Sequence, residues 1–485
     1  MERKCYVTTP IYYPNAKPHL GSAYTTISAD FVKRLYDAFG YRTFFLTGTD
    51  EHGEKISEVA KKMGKSPQEL VDEMNATYKE AWKKLNISYD RMIRTTEEAH
   101  KKIVREFLSK VYEKGDIYKG KYEGQYCVGC ERYYTEKELI DGNCPYHLKP
   151  VENKSIEAYF FKLSEYKENL LSFYRENEGF LPEKYRSNII NTLDDIRDIC
   201  ISRPVEQVDW GIRLPFDEEH VAYVWFDALI NYLSGVDSIE GMWPPDMHIM
   251  GKDIMWFHAV LWPAMLMSYG IELPRRILVH GFLTVDGKKM SKSLGNVVDP
   301  LEVEEKYSSD ALRYYLLTKV SFGDDGDFSW KLFRASYANE LIGHYGNLAN
   351  RLVKLANSVG IEDGEYPREE RLLELRSKLE ALVSEYKLEE ILRFYGEELW
   401  AEVTEINAYL NDKEPWRTKD GEARKVVGAC LKAFVFISAL LEPLIPQGAG
   451  KVLEAFSRER SIEKAGLELP EVRIESLLLY KKVED

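Results

Sequence analysis

Two runs with the composition of buried strands flank one amphipathic helix near the start of the chain, and this unit restricts the fold more than any other feature. Residues 5–9 (Cys-Tyr-Val-Thr-Thr) and 42–47 (Arg-Thr-Phe-Phe-Leu-Thr) read as strands with little exposed polarity. Between them Ile27, Phe31 and Leu35 recur at helical spacing until Gly40 ends the helix. Strand, helix and strand in that order make a βαβ unit. Ser66-Pro67-Gln68-Glu69 then supplies an N-cap, a proline at the first helical position and a capping-box glutamate, ahead of Val71, Met74, Tyr78 and Trp82 on one face. Thr95 with Glu98 repeats the box before Ile103, Phe107 and Val111. The expected fold class is α/β, with a doubly wound parallel sheet of Rossmann type.

At 485 residues the chain exceeds one ordinary core, and its length fits about three domains. The first half of the sheet domain is expected at 1–114. From 115 to 222 the rhythm breaks into Gly-, Tyr- and Cys-rich text, read as an insertion. Strand-like and helical signals resume at Tyr223-Val224-Trp225-Phe226 and at His248-Ile249-Met250-Gly251, so 223–280 is expected to return to the same sheet. A lysine-rich loop and two short capped helices, one opened by Asp299-Pro300-Leu301-Glu302, fill a junction at 281–335. Beyond it Phe333, Tyr337, Leu341, Tyr345, Leu348, Leu352, Leu355 and Val359 step by four and three, and the periodicity returns at 391–410 and 424–441. A helical bundle over 336–485 is expected.

The net charge of −14 argues against a protein that coats nucleic acid indiscriminately, because such binding runs on Lys and Arg neutralising phosphates. No apolar run approaches the roughly 18 residues of a membrane span, so no membrane association is expected. Met1-Glu2-Arg3-Lys4 passes directly into a strand without a signal-like segment, and a cytoplasmic location is expected. Six cysteines in a chain this long are no disulfide framework. Cys5, Cys200 and Cys430 lie in apolar contexts and read as core thiols.

The other three cysteines cluster. Cys127-Val128-Gly129-Cys130 is followed, after thirteen residues, by Cys144-Pro145-Tyr146-His147. One such pair alone could be a redox couple, but two pairs with soft sulfur and one imidazole match a closed tetrahedral zinc site. Four ligands fill the coordination sphere, so one structural Zn²⁺ is expected.

Between the first strand and the first helix runs Pro10-Ile11-Tyr12-Tyr13-Pro14-Asn15-Ala16-Lys17-Pro18-His19-Leu20-Gly21-Ser22. The carboxyl edge of a sheet facing a helix N-terminus is a natural phosphate site, where free N–H groups and the helix dipole favour anions. Gly21 permits close approach and His19 can donate to a phosphate oxygen. A lone loop histidine is more often structural, and a lysine cluster is usually a solvated charge run. Yet far downstream Gly287-Lys288-Lys289-Met290-Ser291-Lys292-Ser293-Leu294-Gly295 sets several ammonium groups on a glycine-flanked loop, suited to the charge that develops on departing pyrophosphate. His19-Leu20-Gly21-Ser22 paired with Lys289-Met290-Ser291-Lys292-Ser293 resembles the twin signature of class I aminoacyl-tRNA synthetases. Ser22 stands where that family's first motif usually ends in histidine.

Pro10 to Asp30, Thr47-Gly48-Thr49-Asp50-Glu51-His52-Gly53, Tyr223 to Tyr232 and Gly251 to Pro263 resemble the methionyl-tRNA synthetases, and the likeness runs over nearly the whole chain. The metal knuckle resembles that of members with a single zinc. By that resemblance Tyr13, Trp225, Tyr232, Phe257 and His258, with Ile11 and Leu229 at the wall, would form the L-methionine pocket. Asp50 would hold the α-ammonium. An aromatic cage suits a long polarizable thioether. Gly251-Lys252-Asp253 resembles the nucleotide-side motif, whose aspartate is expected on the ribose hydroxyls. His19, Gly21, Ser22, Lys289 and Lys292 are the catalytic candidates, with Mg²⁺ arriving on ATP. Asn347-Leu348-Ala349-Asn350-Arg351 and Pro415-Trp416 resemble the elements that read the CAU anticodon of tRNA(Met), and stacking on Trp416 with polar contacts from Asn347 and Arg351 is suitable chemistry.

The implied reaction is formation of methionyl-adenylate from methionine and ATP, then transfer to the 3′-terminal adenosine of tRNA. Three rivals are weaker. Synthetases for leucine, isoleucine or valine carry a larger editing insertion than the stretch here. A small-molecule nucleotidyltransferase gives the bundle and Trp416 no purpose. A zinc-knuckle RNA-binding protein conflicts with the acidic charge and the lysine loop. A monomer is expected from the end of the chain soon after the bundle.

Overall fold

The computed structural model describes residues 3–129, 132–134, 139–290, 295–472 and 474–483. Among them a five-stranded parallel sheet runs in the spatial order Ile277–His280, Met247–Gly251, Lys4–Thr8, Arg42–Thr49, Arg91–Arg94. Lys4–Thr8 is the middle strand: it pairs on one side with Arg42–Thr49 (Thr8 opposite Leu46) and on the other with Met247–Gly251 (Thr8 opposite His248). The winding reverses there. In sheets of this kind the crevice beyond the carboxyl ends of the strands at the reversal is where ligands bind.

The first helix, Leu20–Ala38, is buried along almost its whole length because it is covered on two sides. One face packs on the sheet. The other meets helices far along the chain, where Tyr36 Oη donates to the carbonyl of Val383 at 2.7 Å and Phe31 meets Tyr395 edge-on at 5.0 Å between ring centroids. A helix sandwiched in this way buries polar groups along with apolar ones, and each of Ser22, Thr25, Thr26, Ser28 and Asp30 has a hydrogen-bond partner.

Asp30 and Arg313 form a clamp at its centre. Both are fully buried, and Arg313 Nη1 donates to Asp30 at 2.6 Å while its Nε and Nη2 donate to the carbonyls of Leu444 and Pro443. Arg34, one turn along, donates to the same carboxylate at 2.8 Å, and the amide of Ser88 adds a fourth hydrogen-bonding partner to the clamp.

Residues expected to form an insertion leave the sheet as a long antiparallel pair, Ile117–Cys127 with Glu152–Phe161, flanked by Arg132–Tyr134 and Ile199–Cys200. A three-stranded sheet of Ser202–Pro204, Arg213–Leu214 and Asp217–Ala222 leads back. Toward the C-terminus, Trp330–Ala335, a π-helical stretch Ser336–Gly346 and Asn347–Val359 follow without a break, and the eight residues from Phe333 to Val359 that carry the expected periodicity are all buried. Further helices at Glu369–Ser384, Leu388–Phe394, Trp400–Lys413 (the last two joined by a π-helical turn, Tyr395–Leu399) and Gly421–Leu441 pack around them. Among the described residues no helix is long and apolar enough to cross a membrane.

Two local expectations fail. The Thr95–Glu98 capping box does not form: the helix spans Glu98–Glu113 without a side-chain cap, and the Thr95 hydroxyl accepts the amide N–H of Glu51 at 2.9 Å instead. A buried tertiary donor has won over a local one. The strand-like text at Tyr223–Phe226 is helical from Val224 to Leu229, the preceding strand having ended at Ala222. Its aromatic side chains owe their burial to a cavity wall and a core, not to a sheet.

Candidate active site

A cavity of about 900 Å³ opens at the carboxyl ends of the central strands. Ile11, Tyr13, His19, Gly21, Ser22, Asp50, Trp225, Leu229, Tyr232, Gly251, Asp253, His258 and Lys289 all line it. They come from segments hundreds of residues apart, gathered at the carboxyl edge of the parallel sheet, with Lys289 reaching the cavity from a separate small sheet.

His19 caps the first helix. Its Nδ1 accepts the amide N–H of Ser22 at 3.2 Å, while the Ser22 hydroxyl accepts from His19 N–H at 2.9 Å and donates to His19 C=O at 2.7 Å. Burial lowers the His19 pKa, against the pull of Asp253. A neutral imidazole with Nδ1 occupied as acceptor carries its proton on Nε2, so the free edge of the ring is a donor. Gly21 leaves room beneath it, since a Cβ there would lie 3.0 Å from the imidazole and push the ring aside. The Ser22 hydroxyl is thus wholly engaged in holding His19.

The aromatic wall lies on two helices. Trp225 stacks on Phe257 at 4.0 Å and 3°, with His258 edge-on to it at 6.2 Å. Phe257 stands behind Trp225 and does not itself line the cavity. Phe257 and His258 begin a π-helical turn, Phe257–Leu261, a widening that is frequent at functional sites. His258 donates from Nδ1 to the carbonyl of Ile254 at 3.0 Å, which leaves Nε2 to accept the Tyr232 hydroxyl at 2.7 Å. Burial drives the His258 pKa down to about 4 and raises that of Tyr232. The pair is therefore neutral near pH 7, and this part of the wall is polarizable but uncharged.

Asp50 follows the strand Arg42–Thr49, is 6% exposed and donates its amide to the carbonyl of Tyr12 at 2.9 Å. Its loop is heavily tethered. Glu51 accepts from Thr49, Arg94 and Thr96, and its carbonyl accepts from Trp210 Nε1. His52 Nδ1 and His100 Nε2 both contact the Asp227 carboxylate, at 2.6 and 2.7 Å. Burial alone would raise the Asp227 pKa, yet the two imidazoles pull it down to about 2. Since Asp227 lies two residues after Trp225, this buried group couples the Asp50 loop to the aromatic wall.

Thr25, Asn231, His280, Pro145 and Tyr146 also line the cavity and carry no sequence expectation. Thr25 lies one helical turn beyond Gly21, and its hydroxyl is 2.7 Å from His280 Nε2. His280 ends the strand Ile277–His280, so the rule that ligands meet carboxyl ends could have found it. Nothing in the sequence brings Tyr146 to this place.

Lys289 lies exposed on the short pair Leu283–Val285 with Lys288–Lys289. Lys292 lies outside the described residues, as does Cys130. The remaining metal-ligand candidates converge: Cys127 Sγ, Cys144 Sγ and a His147 ring nitrogen lie within 4.8 Å of one another, with His147 Nδ1 at 3.7 and 3.6 Å from the two sulfurs. Gly129 admits the His147 ring, since a Cβ there would meet it at 2.9 Å. This donor set, with Cys130 three positions after Cys127 in the sequence, fits a tetrahedral zinc site. Outside the cavity lining, the Arg351 guanidinium sits 4.6 Å over the Trp416 ring, with Asn347 exposed one turn before Arg351.

A family model described as "tRNA synthetases class I (M)" matches residues 5–156 and 149–353. The methionine–tRNA ligase of Caldanaerobacter subterraneus subsp. tengcongensis is 42% identical over 477 residues, covering 94% of this chain and 74% of the relative. That of Thermotoga maritima is 40% identical over 490 residues, covering 96% and 77%. The solved Mycobacterium tuberculosis methionyl-tRNA synthetase in complex with methionyl-adenylate superposes with a TM-score of 0.90 at 36% identity, covering 98% of either chain. Likeness in sequence and in fold extends over nearly the whole length, and the chain belongs to the methionine branch of the class I tRNA synthetases.

Proposed function

We propose that this one cavity carries both half-reactions of methionine–tRNA ligation. The observation that carries the reading is that an uncharged aromatic wall and a helix N-terminus bearing His19 open onto the same space. Methionine lies with its thioether among Tyr13, Trp225, Leu229, Tyr232 and His258, Ile11 closing the wall and Phe257 backing it, and with its ammonium on Asp50. ATP lies along Gly21, Gly251 and Asp253, the last on its ribose. A methionine carboxylate oxygen attacks the α-phosphorus as the bond to pyrophosphate breaks, giving methionyl-adenylate. His19 Nε2–H, Lys289 and Lys292 stabilise the charge that moves onto the phosphates, Ser22 acting by holding His19. Mg²⁺ entering on ATP supplies further neutralisation of those phosphates. In the second step the 2′-hydroxyl of the terminal adenosine attacks the carbonyl carbon, and AMP leaves.

Positioning and charge stabilisation are the whole of the work, since no protein nucleophile is needed. Homocysteine, one methylene shorter, is disfavoured by only roughly 1–3 kcal/mol in such a wall.

Helices beyond Ser336 serve the anticodon, with Trp416 stacked on a CAU base and Asn347 and Arg351 on base edges. Trp416→Ala is expected to lower kcat/KM for tRNA charging roughly tenfold or more, the worth of one stacked base, with methionine-dependent ATP–pyrophosphate exchange within twofold of wild type. Equal losses in the two assays would defeat the division of labour.

Cys127, Cys130, Cys144 and His147 hold one structural zinc, whose bonds supply the folding energy of a knuckle too small for its own core. Metal analysis of the purified protein should give one zinc per chain, and Cys144→Ser should lose it together with the protease resistance of the 127–147 segment. Retention of stoichiometric zinc in that variant would remove Cys144 from the ligand set.

A further inference from the structure

One aromatic ring at the cavity has no part in the chemistry above. Tyr146 lines the cavity beside Pro145, is 61% exposed, and makes no hydrogen bond or ring contact with any of the described residues. Phe282, also at the mouth and 50% exposed, differs: the Lys252 ammonium lies 4.7 Å over its ring and its amide donates to Asp325. Tyr146 is the ring with its faces available.

Its placement is built, not incidental. The Cys144 amide donates to the Lys149 carbonyl at 2.9 Å and the Leu148 amide to the Cys144 carbonyl at 2.8 Å, which closes the loop at its neck. Tyr146 stands at the tip, directly between Cys144 and His147, whose Sγ and Nδ1 are 3.6 Å apart. An exposed tyrosine on a pinned loop keeps its position without packing of its own. An exposed ring held in place at a cavity mouth offers a flat face on which a base can stack.

The occupant follows from the reaction. Methionine is taken by the buried wall, and ATP by the edge that carries His19, Gly251 and Asp253. The remaining reactant, the unpaired 3′ end of tRNA, must enter from solvent and bring its 2′-hydroxyl to the adenylate carbonyl. Every base has a π-face, and stacking on an aromatic side chain is the common means of holding single-stranded nucleotides. We propose that Tyr146 is the stacking platform for a base at the 3′ end of tRNA, and so a positioning residue of the transfer step. The metal knuckle thereby does more than stabilise the insertion: it presents this ring to the second substrate. The proposal rests on the synthetase reading, and its test separates the two.

Tyr146→Ala, Tyr146→Phe and Tyr146→Leu are compared in charging and in ATP–pyrophosphate exchange, with zinc content and thermal midpoint recorded for each. A tRNA(Met) carrying 2-aminopurine at its 3′ terminus reports stacking directly by fluorescence quenching. Ala and Leu are expected to lower kcat/KM for tRNA roughly tenfold or more, and Phe to retain it, because the platform needs the ring and not the hydroxyl. The loss in charging should exceed any loss in exchange at least fivefold, and quenching seen with wild type and Phe should vanish with Ala. Equal losses in both assays, or a rise in KM for ATP matching that for tRNA, would assign the ring to the nucleotide and overturn the proposal. Wild-type charging and quenching in Tyr146→Ala would overturn it as well. Active exchange in every variant would leave the synthetase reading standing in either case.

Discussion

Asp50→Asn is expected to lower kcat/KM for methionine in ATP–pyrophosphate exchange by on the order of 10²- to 10³-fold, while the enzyme stays folded. The substitution keeps the volume of the side chain and removes only its charge. Asp50 is 6% exposed, so an ammonium bound there would leave water to reach it. Truncating one member of a buried, hydrogen-bonded charge pair costs about 2–5 kcal/mol, much of it the penalty of leaving the other charge unpaired. The tethered loop around it offers no replacement: the neighbouring Glu51 carboxylate is turned away and committed to Thr49, Arg94 and Thr96. Exchange kinetics across a methionine series would check this. A change of less than threefold would show that Asp50 does not meet the ammonium.

A second large effect is one of stability. Arg313→Leu is expected to destabilise the protein by about 3–5 kcal/mol, because it leaves Asp30 buried with part of its compensation gone. Arg313 and Asp30 are both fully buried, and the guanidinium also satisfies the carbonyls of Pro443 and Leu444. The double variant Arg313→Leu with Asp30→Asn should lose less than the single one, since no uncompensated charge remains. The pH dependence has a definite sign. Burial by itself would raise the Asp30 pKa, but the Arg34 and Arg313 guanidiniums and the Ser88 amide bring it down from 3.8 to about 2. A carboxyl whose folded pKa is depressed stabilises the fold above its unfolded value, and that contribution fades as pH falls from about 4 towards 2. The difference between wild type and Arg313→Leu in urea unfolding should therefore be full at neutral pH and narrow in acid. A difference below about 1 kcal/mol at pH 7 would mean that solvent reaches the clamp.

What the sequence discloses and what it hides divide along a physical line. The strand and helix around Gly40, the capped helix at Ser66 and the long periodic helix from Phe333 to Val359 are local patterns, and the structure has them. His19 and Lys289, 270 positions apart in the chain, could be joined only through the likeness to a known twin signature. The Thr95 box fails because a residue far off in sequence, Glu51, takes the hydroxyl. Asp30 and Arg313 are separated by 283 residues and neither has a local cue. Tyr146 belongs to the same class: its position at the cavity depends on how the whole insertion folds back, which no periodicity encodes. The Ser22 departure from the usual motif becomes intelligible only in the structure, where its hydroxyl accepts the His19 amide N–H as one of the two bonds of a capping box.

The middle strand of the sheet has a consequence for synthesis on the ribosome. Lys4–Thr8 meets Arg42–Thr49 early, but its other neighbour, Met247–Gly251, lies 240 residues further on. At about 5–20 residues per second, that neighbour emerges roughly ten to fifty seconds later. Throughout this interval the nascent polypeptide carries a bare, apolar sheet edge of the kind that pairs with other chains. Translation speed across this stretch, and chaperones able to shield such an edge, therefore bear on how much of the product reaches the native state.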